Sequence, residues 1–147
     1  MNDIIIDTIV PTDAPSVAKI EKECFCVPFT EDDILGYIEN PIWHFLVARS
    51  EDGVLGYISF TVILDECQIV NVAVSPSARK MGIGSRIMTS FLDFLKEMNV
   101  ASVYLEVRES NTPAIKLYEK FGFEVTGISK NHYTKPQENA LLMSLTL

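Results

Sequence analysis

Two basic side chains and two glycines stand directly ahead of an apolar-periodic segment in "ARKMGIGSRIM", residues 78 to 88. Arg79 and Lys80 offer charge-assisted donors, and Gly82 and Gly84 let an anion approach the backbone without meeting a Cβ. The first turn of a helix adds unpaired N–H groups and a partial positive charge. Arg79, Lys80, Met81, Gly82, Ile83, Gly84 and Ser85 are therefore the candidate lining of a phosphate or pyrophosphate site. A P-loop would need Gly-Lys-Ser/Thr after the glycines, and none follows. A dinucleotide fingerprint would need a third glycine where Ile87 stands, and "SPSARKM" separates the preceding strand from Gly82. A plain tight turn is the remaining alternative.

Downstream lie two groups able to move protons. In "ASVYLEV" the residues Val103, Leu105 and Val107 share one strand face, and Tyr104 and Glu106 share the other. On that face Glu106 reads either as a solvated carboxylate or as a general base. Tyr118 falls about two turns into a helix with Ala114 and Phe121 at helical spacing, so it is either a core aromatic or a phenol donor. The three cysteines include Cys24 and Cys26 as C-x-C, and the only histidines are His44 and His132, which favours reduced thiols over a metal site. A covalent route through Cys67 has no histidine near it in sequence. His132 and Tyr133 fall in the polar stretch "KNHYTKPQEN", open to substrate or to solvent.

The elements that must position these groups follow from periodicity and punctuation. "IIIDTIV" reads as a strand, and the next segment as a helix with Asp13 as N-cap, Pro15 in its first turn and Val17, Ile20 and Cys24 on one face. "PFTEDDILGYIENP" predicts a shorter helix capped by Thr30 and closed by Pro41. "WHFLVARS", "VLGYISFTVIL" and "CQIVNVAVS" predict an antiparallel meander. From Gly82 to Val100 apolar residues recur every 3.6 positions, and a strand, that helix and "ASVYLEV" together imply one parallel pair in a mixed sheet. "NTPAIKLYEKFGF" is a helix capped by Asn111 or Thr112 with Gly122 at its left-handed end. "FEVTGIS" and "ALLMSLTL" are strands around the polar loop "KNHYTKPQEN".

The 147 residues, 48% apolar and free of repeats or linkers, suit one domain over residues 1–147. No run is long enough to span a bilayer, and "MNDIIIDTIVP" lacks the basic region and cleavage site of a signal peptide, so a cytoplasmic protein is expected. A net charge of −8 argues against nucleic acid and suits a cationic or amine substrate.

"VAVSPSARKMGIGSRIM" resembles the acyl-CoA signature of the GNAT superfamily of N-acetyltransferases, Q/R-x-x-G-x-G/A, read from Arg79 to Gly84. "IEKECFCVPFTEDDI", "DECQIVNVAVSP" and "YLEVRESNTPAIKLYEKFGF" extend the likeness to the bacterial RimI type, the ribosomal-protein alanine N-acetyltransferases. The resemblance implies an α/β (α+β) fold, a mixed, mostly antiparallel central sheet flanked by helices. It implies acetyl-CoA as co-substrate and, as acceptor, a protein N-terminus, with alanine of a small-subunit ribosomal protein the nearest match. It assigns Glu106 as base and Tyr118 as acid, and brings the backbone of Val72, Ala73 and Val74, with Asn111 and Tyr118, to the cofactor. Phe29 and Tyr133 are its substrate contacts. The chain departs from the type at Pro28-Phe29, Asn131-His132-Tyr133 and Glu138-Asn139-Ala140, where the peptide would lie. Other enzymes of the superfamily act on small amines or lysine, and a non-catalytic acyl-CoA sensor would need only the glycine junction.

Overall fold

Phe45 and Val47 are buried on one side of their strand, Leu46 and Ala48 on the other. A strand apolar on both faces must be covered twice, and the computed structural model, which describes residues 3–147, provides both covers. Its elements are β1 (Ile5–Thr8), α1 (Ala14–Cys24), α2 (Glu31–Glu39), β2 (Trp43–Ser50), β3 (Gly53–Ile63), β4 (Glu66–Val74), α3 (Ile83–Glu97), β5 (Ser102–Arg108), α4 (Thr112–Lys120), β6 (Glu124–Thr134) and β7 (Gln137–Thr146). They build one sheet in the order β1-β2-β3-β4-β5-β7-β6, in which β4 and β5 are the parallel pair. Val17 and Ile20 of α1 and Ile34 of α2 pack on Phe45, Val47 and Tyr57. On the opposite face Ile83, Ile87, Phe91 and Leu95 of α3 pack on Ile58, Phe60, Val103 and Leu105. The expected single-domain α/β sheet with flanking helices is the observed one. No helix among the described residues is long and apolar enough to cross a membrane.

Local chemistry sets the element ends. Thr30 caps α2 reciprocally, its Oγ1 accepting from Asp33 N–H while Asp33 accepts from Thr30 N–H. Asn111 rather than Thr112 caps α4, accepting from Ala114 N–H at 3.3 Å. α3 stops at Glu97, three residues short of the extent suggested by its periodicity, because Asn99 turns left-handed at φ 59°. Asp13 does not act as the expected cap of α1. Its residue is already helical, and its carboxylate turns back to accept from Val10 N–H and from Arg49 at 2.5 Å. The larger correction concerns "KNHYTKPQEN", expected as a loop: β6 runs on to Thr134 and β7 begins at Gln137, leaving only a tight turn at Lys135 and Pro136. The stretch is polar because this end of the hairpin is largely exposed, not because it lacks strand structure.

Two features shape β4. Ser59 pairs with Asn71 and Phe60 with Ile69, so Val70 is an extra residue and β4 carries a bulge. Buried Ser59 holds it, its Oγ accepting from Asn71 N–H at 3.2 Å. At Gly56 a Cβ would stand 2.8 Å from the carbonyl oxygen of Ala73, so only glycine lets β3 lie this close to the end of β4.

Burial pushes the Asp13 carboxyl up, but Arg49 and the Val10 N–H outweigh it and hold it below the usual carboxylate range. A depressed pKa stabilises the fold above the unfolded value of about 3.9, and this contribution is lost as pH falls through the lower folded value. Asp13→Asn should therefore cost about 2 kcal/mol at pH 7, and the gap to the parent should begin to close only as pH falls below the unfolded value of about 3.9. Denaturant melts of both proteins across that range check it.

Candidate active site

The parallel pair is short. Glu66, Cys67 and Gln68 pair with Ser102, Val103 and Tyr104, and beyond them the two strands separate at the bulge. Between Ile69–Val72 of β4 and Glu106–Arg108 of β5 opens a cleft of about 600 Å³. Phe25, Cys26 and Val27, in the segment after α1, close one side, and the β6–β7 hairpin from His132 to Pro136 closes another. Ala114 and Tyr118 of α4 reach in from the far face of the sheet.

The cleft brings together Val72, Glu106, Asn111, Tyr118 and Tyr133 of the residues singled out from sequence. Glu106 is exposed on the face opposite buried Val103, Leu105 and Val107, as alternation requires. Its Oε2 lies 3.1 Å from His132 Nε2, and His132 Nδ1 is 3.3 Å from Ser129 Oγ. Tyr118 is only 6% exposed, its ring against Phe123, and burial together with the nearby Tyr133 pushes its phenol well above the ordinary tyrosine range. It stays protonated at neutral pH, with an O–H that can donate. Tyr133 is also pushed up, by burial and then by the Glu106 charge. The Arg108 guanidinium stands 4.2 Å above the Tyr133 ring and donates to the carbonyls of Lys135 and Pro136 at 2.9 Å.

The glycine junction lies outside this lining, at the start of α3. Gly82 takes φ +74° as the N-cap, which glycine allows, and no side chain caps the helix. Lys80 is also left-handed, at φ 66°. Arg79 folds back, donating to the Val74 carbonyl at 3.3 Å and to Cys24 Sγ at 3.4 Å. Met81 is exposed and Ile83 buried, so these two offer backbone only. Lys120 of α4 donates to Ser85 Oγ at 2.9 Å, a cation that only the tertiary fold brings to the junction. A Cβ placed at Gly84 would stand 3.4 Å from Leu117 Cδ2, so α4 runs from beside the junction to the cleft. Ala73 and Val74 continue β4 toward this junction.

Phe29 lies outside the cleft lining. Its ring packs edge-on against Tyr37 and Trp43, and its N–H donates to Glu21 at 2.8 Å. Glu21, fully buried, was not distinguishable in the sequence. It also accepts from Tyr57 O–H and from Asn71 Nδ2, the latter at 3.0 Å, so one carboxylate ties the α1–α2 segment to the bulge. Burial raises its pKa against the opposing Phe29 and Asn71 bonds. Cys67 is buried under α3, and burial raises its thiol to about 12. Both histidines are engaged elsewhere: His44 stacks on Phe60 and meets Phe94 at a tilt, and His132 pairs with Glu106. Among the described residues no cluster of His, Cys, Asp or Glu could hold a metal ion.

Residues 14–123 match the Acetyltransferase (GNAT) family. A Bacillus subtilis protein, named provisionally as a ribosomal protein bS18-alanine N-acetyltransferase, is 38% identical over 136 residues, 92% of this chain and 90% of its own. The ribosomal protein bS18-alanine N-acetyltransferase of Escherichia coli K12 is 32% identical over 145 residues, 97% of each chain. A crystal structure of the Escherichia coli ribosomal-protein alanine N-acetyltransferase superposes with a TM-score of 0.89 at 29% identity, over 98% of this chain and 94% of that one.

The burial of Cys67 makes it a poor nucleophile. Iodoacetamide at pH 8 should modify exposed Cys26 faster than Cys67 by on the order of tenfold or more, with Cys67 reacting only in denaturant. Peptide mapping reads this directly, and rapid native labelling of Cys67 would reopen a covalent route.

Proposed function

The chain belongs to the GNAT acetyltransferase family and takes acetyl-CoA as acyl donor, and from that premise we propose that it acetylates the N-terminal α-amine of a small-subunit ribosomal protein, with alanine at the terminus, by direct transfer in a ternary complex. The observation that carries the proposal is the placement of Glu106 and Tyr118 in one cleft, where β4 leaves β5. The relatives named for bS18-alanine acetylation support the acceptor. A cytoplasmic location goes with that acceptor.

The residues present fit the donor. Past Gln68 the β5-facing edge of β4 has lost its strand partner, so backbone of Val72, Ala73 and Val74 is available to amide groups of a pantetheine arm. The uncapped start of α3, with Lys80, Gly82 and Gly84 and with Lys120 alongside, suits a pyrophosphate. Asn111 caps α4 and lines the cleft, so its amide can serve both the helix and the arm. When bound, acetyl-CoA supplies the acetyl group as a thioester and a thiolate leaving group.

Glu106 takes a proton from the acceptor amine. Backbone N–H groups of β4 polarise the thioester carbonyl. Tyr118 keeps its proton at neutral pH and delivers it to the thiolate. An α-amine, with a pKa near 8, asks less of a carboxylate base than a lysine near 10.4, which favours a protein terminus over a lysine side chain. Tyr133 and the segment at Cys26 and Val27 stand where an extended acceptor would enter.

Thiol release from acetyl-CoA, with mass spectrometry of the acceptor, should show turnover with peptides bearing a free N-terminal alanine and none with blocked ones. Turnover confined to small amines would remove the ribosomal-protein acceptor, and binding without turnover on any acceptor would favour a sensor. Glu106→Gln should lower kcat by on the order of 10²-fold with acetyl-CoA affinity unchanged by calorimetry. Gly84→Trp should abolish that affinity by filling the approach to the first turn of α3.

A further inference from the structure

Two strand spacings, roughly 10 Å, separate β5 from β6, because β7 lies between them. A side chain on β6 does not ordinarily touch one on β5. His132 nonetheless places Nε2 3.1 Å from Glu106 Oε2. A built irregularity explains the reach. Ser129 pairs with Ala140 and Tyr133 with Glu138, so Lys130, Asn131 and His132 together oppose the single residue Asn139. Asn131 is left-handed at φ 53°, its N–H donates to Asn139 Oδ1 at 2.9 Å, and its Oδ1 accepts from Gln137 Nε2 at 3.0 Å. Such bulges re-aim a side chain. Here the side chain re-aimed is an imidazole, and its target is the carboxylate assigned as base.

We propose that His132 is a positioning residue for Glu106, holding Oε2 through Nε2–H so that Oε1 faces the acceptor amine. The proposal rests on Glu106 being the base. The imidazole donates through Nε2–H to Oε2, which leaves Nδ1 to accept from Ser129 O–H. The amine N–H bond breaks and an O–H bond forms at Oε1; no electrons are exchanged.

Arg108 on β5 is matched by Glu138 on β7 at 3.4 Å, and the Tyr133 and Tyr118 phenols are both pushed up and neutral. The Tyr133 ring meets the imidazole edge-on at 4.9 Å and fixes its plane.

Two measurements test it. The chain has only two histidines, so NMR can follow His132 with His44 as the internal reference. In Glu106→Gln the Nε2–H and ring-nitrogen shifts of His132 should move while those of His44 stay, because Nε2–H loses its carboxylate acceptor. Unchanged His132 shifts would overturn the proposal without any assay. Second, kcat at saturating acceptor peptide is measured from pH 5.5 to 9 for the parent, His132→Ala and His132→Gln. His132→Ala should lower the plateau by about tenfold or more. His132→Gln, whose amide N–H can still hold Oε2, should recover most of that loss. The acceptor's own ionisation is common to all three enzymes and cancels. Equal plateaus in all three would exclude the positioning role while leaving Glu106 as base. Full activity in Glu106→Gln would instead remove the base, and with it the role of His132.

Discussion

β4 and β5 hydrogen-bond in parallel for three residues and then part, and the rest of the molecule is arranged around that loss of pairing. Unpaired backbone inside a sheet is costly unless something else satisfies it. The bulge at Val70, held by Ser59, turns β4 aside, and α4 is set so that Asn111, Ala114 and Tyr118 border the gap. The gap is thus an unfilled strand position, which the proposed function gives to a ligand with amide groups of its own. Glu106 and Tyr118 both border it, from opposite faces of the sheet.

Keeping such a gap open requires stiffness nearby, and buried polar chemistry supplies part of it. Glu21 has no exposed surface and gathers Phe29 N–H, Tyr57 O–H and Asn71 Nδ2 on one carboxylate. A buried carboxyl that is fully satisfied fixes geometry, whereas a half-satisfied one would destabilise. Through it the segment after α1, which walls the cleft, is referred to the same bulge that opens the cleft. Arg108 does similar work opposite, tying the turn at Lys135 and Pro136 to β5.

Much of this was legible in the residues themselves. The period of Ile83, Ile87, Phe91 and Leu95 located α3, the alternation around Leu105 put Glu106 on the face away from the core, and Asn111, Pro113 and Gly122 punctuated α4. These are local signals, carried by neighbours three or four positions apart. The misses are long-range. Asp13 looks like a cap until Arg49, 36 residues away, claims its carboxylate. Glu21 finds Asn71 at a separation of 50, and Lys120 finds Ser85 at 35. The stretch "KNHYTKPQEN" read as loop because polarity usually marks loops, whereas an edge hairpin reaching past its helices has no apolar face to betray it.

Gly56 lies on the opposite edge of β4 from the cleft, and its missing side chain leaves 2.8 Å to the Ala73 carbonyl. A methyl group there would also stand 3.2 Å from the Ile87 side chain and 3.3 Å from Val74 Cα, so the end of β4 and α3 could not both keep their places. The strand that borders the cleft is thus seated by a residue outside the cleft lining, as a shelf is levelled by a bracket nobody sees.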